Sequence, residues 1–137
     1  MTHANGTPPN PSAAGGTDAR IRRALVSSAL DLAAIAVFIA FGRRNHDEDP
    51  SLTGFLGTLA PFVIALAVTW LIARVWRDPI SLKSGATVWV GTVAIGMILR
   101  RFVFDDGTAT AFIIVASVFL GAVVNGWRTY ARFRANS

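Results

Sequence analysis

The chain has 137 residues, of which 53% are apolar and only 15% charged, with a formal net charge of +5. A mean hydropathy of +0.49, with charges clustered between long apolar runs, excludes an ordinary soluble domain and points to a multi-span membrane protein. The arginines flank apolar segments and form no basic stripe, which argues against a nucleic-acid partner, and the lack of cysteine excludes disulfides and thiolate metal sites.

Residues 1–19, "MTHANGTPPNPSAAGGTDA", lack the large apolar side chains needed to offset the entropy of ordering and are expected to form a disordered tail. They make a poor signal peptide, because the first arginines come only at Arg20, Arg22 and Arg23, ahead of an overlong apolar run. A membrane domain over 20–130 follows, then a short basic tail over 131–137. A span needs about 20 mostly apolar residues. Four segments qualify, at about 21–41, 52–73, 82–102 and 108–127. Lipid offers the backbone no hydrogen-bond partners, so each span is predicted to be a helix. Short connections make successive helices antiparallel neighbours. The predicted fold is an all-α integral membrane four-helix bundle, readable as two tandem hairpins. Ser51 and Thr108 stand where N-caps would begin the second and fourth helices, and Ser81 or Ser84 where one would begin the third.

Charge sets the expected direction. With both termini on the inner side, inner segments hold nine of the thirteen Arg and Lys residues, and outer segments hold four. Trp76, Trp89, Trp127 and Tyr130 then serve as interface anchors at the inner boundary, where amphipathic rings sit. The expected location is a prokaryotic plasma membrane, with the bilayer itself as the first partner.

Asp31 lies midway along the first span, near the bilayer midplane. An unpaired acid there costs on the order of 3 kcal/mol, so it should face the other helices. Arg100, nearer the outer surface with a side chain long enough to reach down, is the candidate partner; Asn125 and Thr92 are hydrogen-bonding alternatives. Three readings stand for this polar set: a structural pin joining the first and third helices, a proton or substrate site, or an acid that faces lipid.

Arg43, Arg44, His46 and Arg101, together with Arg100, form a candidate outer basic rim for a lipid headgroup or other anion, since the guanidinium fork suits phosphate and carboxylate. The alternative is that these arginines merely snorkel. His46 with Asp47, Glu48 and Asp49 has no recognised metal-ligand spacing, so no metal is assigned and no cofactor is expected. Gly91, Gly96, Gly121 and Gly126 are candidate helix-packing positions. Pairs such as Thr92–Gly96, Ser117–Gly121 and Ala122–Gly126 have the small-residue spacing that lets helices approach closely. Pro61, with Gly54 and Gly57, is a candidate bend in the second helix.

The chain also resembles itself when shifted by 57 residues. Arg43 and Arg44 fall on Arg100 and Arg101, Phe55 on Phe112, and Trp70 on Trp127. The halves read as two helix hairpins in parallel repeat, or as two hairpins alike only because arginines flank both.

No nucleophile–base pair, phosphate loop or redox motif is present, so an enzyme is not expected. Asp31, "FGRRNHDED" (41–49), "WRDP" (76–79), "VWV" (88–90), "GMILRR" (96–101) and "GWR" (126–128) resemble a domain-of-unknown-function family of small membrane proteins from high-GC Gram-positive bacteria and halophilic archaea. The resemblance implies four spans and a membrane location, and it implies no catalytic residue. Two functional classes lead: a small transporter or channel protomer working as a homodimer or larger homo-oligomer, or an accessory subunit that binds a hetero-membrane partner or a lipid headgroup.

Overall fold

A computed structural model describes residues 6–8, 10–45, 51–104 and 110–137. Four helices follow one another: α1 (Pro11–Asn45), α2 (Leu52–Ala73), α3 (Leu82–Phe102) and α4 (Thr110–Ala135). No strand occurs among the described residues. All four are long and apolar enough to cross a membrane, and the protein is an all-α, four-helix membrane bundle. Each helix packs on its neighbours in sequence, and α1 also packs on α4, which closes the ring.

The bounds of α2 and α3 coincide with the predicted spans. Their starts are capped as the sequence implies: Ser51 accepts from the Gly54 N–H and Ser81 from the Ser84 N–H, each satisfying one of the orphan donors of a first turn. Position 108, the expected cap of α4, lies outside the described residues.

The first helix differs from expectation. It begins at Pro11, so it covers much of the stretch expected as a tail and extends well beyond the predicted span. Residues 11–13 and 15–18 at its start are exposed. The fourth helix likewise runs on to Ala135, through the expected basic tail. The α4 extension, RTYARFRA, carries Ala and Arg, which propagate a helix easily once a packed segment has nucleated it, whereas that of α1 includes Gly15 and Gly16, which oppose helix.

The bundle interior has two layers. Towards the end formed by the C-termini of α1 and α3, four rings from three helices stack: Phe38 lies 5.5 Å from Phe112, 5.7 Å from Phe119 and 6.5 Å from Phe62, between ring centres. Towards the end that carries both termini, buried Ile35, Leu66, Val88, Leu120 and Val124 give way to polar groups. Buried Thr69 and Pro61 lie on the inward face of α2.

Between α2 and α3 the chain is irregular but tightly held. Arg74 closes α2 in the left-handed region (φ 52°, ψ 49°), and its N–H donates to the Trp70 carbonyl. One 3-10 turn, Val75–Arg77, tucks Val75 into the core. The chain then breaks at Asp78–Pro79. The Asp78 carbonyl accepts from the hydroxyls of Ser81 and Ser84, and Pro79 is buried with its carbonyl outside any helix.

Candidate functional site: a sealed carboxylate clasp

Asp31 and Arg128 are both completely buried. Their side chains meet fork to fork: one guanidinium NH2 group donates to Oδ1 at 2.7 Å and the other to Oδ2 at 2.8 Å. Two indoles complete the carboxylate. Trp127 Nε1 donates to Oδ1 at 3.0 Å, and Trp70 Nε1 donates to Oδ2 at 3.1 Å. Each oxygen therefore accepts two hydrogen bonds, which uses the acceptor capacity of an ionised carboxylate.

Arg128 is equally committed. Its Nε donates to the Pro79 carbonyl at 2.8 Å, and Nη1 also reaches the Val124 carbonyl at 3.0 Å. Its guanidinium lies 4.3 Å from the centre of the Trp127 ring, within cation–π range. The Asp78–Pro79 break explains why a loop carbonyl is available here. Inside a helix it would be spent on the residue four positions on. The clasp thus ties α1, α2, α4 and the α2–α3 connection to one point. Charged hydrogen bonds of this kind, bidentate and dry, are among the strongest a protein makes.

The gap beside Asp31, lined by Ile35, Leu66, Val88, Thr92 and Leu120, is too narrow to hold a water molecule. Thr92 is buried on that gap, and its hydroxyl has no hydrogen-bond partner among the described residues.

The expected partner of Asp31 is corrected by this geometry. Arg128 holds the carboxylate, whereas Arg100 lies towards the opposite end, its guanidinium 4.7 Å from the centre of the Phe112 ring. The reason is register. Because α1 runs on past the bundle, Asp31 sits level with the last turn of α2 and the end of the apolar stretch of α4, not midway between the ends. Neither Asn125 nor Thr92 bonds to Asp31. Asn125 donates to the Gly121 carbonyl along its own helix.

Close approach of α3 makes room for the clasp. A Cβ on Gly85 would stand 2.8 Å from Arg128 Cδ and 2.5 Å from Asn125 Oδ1. Sequence reading missed Gly85. Among the expected packing glycines, Gly91 faces Thr69, Gly96 faces the Phe62 ring and Gly121 faces the Trp89 indole, each closely enough that a Cβ would collide. Gly126 is corrected: it faces open space.

The aromatic anchors divide. Trp76 and Tyr130 are exposed. Trp89 and Trp127 are half-buried: Trp89 Nε1 donates to the Ser117 carbonyl at 2.8 Å, and Trp127 serves the clasp. At the outer rim, Arg43 donates to the Thr58 hydroxyl at 2.8 Å and packs on Gly54 in the first turns of α2. Arg100 holds the matching place over Phe112 at the start of α4. Arg44 and Arg101 are exposed, and His46, with the acids around it, lies outside the described residues.

Trp70 and Arg128 are the clasp residues that reading by composition did not single out. The signal was there: Trp70 coincides with Trp127 in the 57-residue self-comparison. The model of a family described as protein of unknown function (DUF3054) matches residues 28–131, which includes the whole clasp. No curated protein and no solved structure matches the sequence.

Proposed function

The chain belongs to the DUF3054 family of proteins of unknown function, and from that premise we propose that it is an accessory or scaffolding subunit of a larger membrane assembly. The single observation that carries the reading is the saturated clasp. An acid that relays protons or binds a substrate needs a lone pair or a water within reach. Asp31 accepts two bonds at each oxygen, beside a gap that admits no water. Such a pair suits a rigid body whose helices keep one register, the best-attested use of buried polar pairs. The reading is non-enzymatic.

We place both termini on the cytoplasmic side of a prokaryotic plasma membrane. Nine of thirteen Arg and Lys residues then face inward, which supports this direction.

Native mass spectrometry of the protein, gently extracted from its own membrane, tests the proposal. A stoichiometric complex with another membrane protein is the expected result. A homo-oligomer without other proteins would overturn it in favour of a transporter or channel, to be followed by flux assays on Asp31→Asn.

A further inference from the structure

Between α1 and α2 runs an open groove of about 560 Å³, lined by Ala29, Leu32, Val63, Ala67, Leu71 and Trp76 among others. The polar atoms that could have drawn a polar guest are already used. The Ser28 hydroxyl donates to the Leu25 carbonyl, and the Trp70 indole is spent on Asp31. The occupant is therefore apolar along the groove. From Val63 to Leu71 the α2 wall of the groove rises about 12 Å at 1.5 Å per residue, close to the depth of one leaflet of a hydrocarbon core of about 30 Å.

The end of the groove differs in kind. Its lining includes the exposed Trp76, which lies in the chain between the exposed arginines Arg74 and Arg77. Arg22 precedes Ala29 on the same face of α1, about two turns away. Eight exposed or half-exposed Arg and Lys residues share this end of the bundle. The described acids there are Asp18, Asp78 and the buried, paired Asp31. An apolar trough close to one leaflet deep, with an aromatic ring in its lining and exposed arginines beside that ring in the chain, is complementary to a lipid with an anionic head.

We propose that this groove is a binding site for an anionic phospholipid, with an acyl chain along Val63, Ala67 and Leu71 and the phosphate at Arg22, Arg74 and Arg77. The site is separate from the clasp and does not depend on the protein being an accessory subunit. Holding a lipid there would give the protein a preference among the lipids of its own leaflet.

Tryptophan quenching by brominated lipids tests this with the full chain in vesicles, because Trp70 and Trp76 line the groove. Brominated phosphatidylglycerol should quench more than brominated phosphatidylcholine at equal mole fraction. The triple variant Arg22→Gln/Arg74→Gln/Arg77→Gln should lose at least half of that excess. Arg132→Gln/Arg134→Gln, which removes charge from the same end but not the groove, should keep it. Ala67→Phe, which fills the groove and leaves every arginine, should also reduce it. Equal quenching by the two lipids overturns the proposal, as does an excess that survives both the triple variant and Ala67→Phe. Loss of the excess in Arg132→Gln/Arg134→Gln as well would reveal diffuse surface attraction and overturn it too. Quenching by neither lipid, together with a dimer in native mass spectrometry, would place a second copy in the groove instead.

Discussion

Trp70 and Trp127 donate their indole N–H groups to different oxygens of the same carboxylate, at 3.1 and 3.0 Å from Asp31. They hold matching positions in the two halves of the chain. Trp70 stands in the last turn of α2 and Trp127 near the end of the apolar stretch of α4, so each hairpin contributes one indole donor to a carboxylate that only the first half supplies. The outer ends repeat the theme, with Arg43 on the first turns of α2 and Arg100 on those of α4. The two hairpins are thus alike at these joints, while the Asp31–Arg128 pair has no counterpart: Val88 and Leu71 stand at the matching positions.

Asp31→Asn should destabilise the bundle by about 3–5 kcal/mol, because it leaves Arg128 charged and buried without its counter-ion. The double variant Asp31→Leu/Arg128→Leu should regain much of this, since neither charge remains to be desolvated. Thermal unfolding in detergent checks both. An Asp31→Asn protein as stable as the parent would mean that the pair contributes nothing.

Trp70→Phe and Trp127→Phe each remove one donor to a charged acceptor while keeping an aromatic ring. Each should cost about 1.5–3 kcal/mol, and the two costs should be similar. The combined variant should depart from their sum, because both donors polarise one carboxylate. A double-mutant cycle in the same unfolding assay measures that departure. Strict additivity would show the indoles to be packing residues only.

Glycines give a paired test. Gly85→Ala drives a methyl group into Arg128 and Asn125, and overpacking of this sort costs about 1–3 kcal/mol. Gly126→Ala adds a methyl group in open space and should change stability by no more than about 0.5 kcal/mol. Equal melting temperatures for the two variants would mean that α3 does not approach α4 closely at Gly85.

The chain has no cysteine, so single cysteines report its direction in the membrane without background. In intact cells, a membrane-impermeant maleimide should label Leu52→Cys, at the exposed start of α2, and leave Ser137→Cys unlabelled until the cells are opened. The reverse pattern would place both termini outside.

The sequence by itself determined the four helices, the bounds of the second and third, and the caps at Ser51 and Ser81. These are local matters: a run of apolar residues about 20 long has one way to satisfy its backbone in lipid, and a serine at its start caps it wherever the rest of the chain lies. It also marked Asp31 as a residue that must find a partner, because a charge inside an apolar run is costly whatever surrounds it. Which residue answers it was a question of register between distant helices. Counting residues from the ends of a span placed Asp31 midway and pointed to Arg100. Only the tertiary structure decided for Arg128, because α1 continues past the bundle and so brings Asp31 level with Trp70, Trp127 and the carbonyl that the break at Pro79 exposes. The same holds for Gly85 and Gly126. Small residues mark where helices are able to meet, but the rotation of each helix about its axis selects which of them do, and that rotation is set by contacts from all four helices at once.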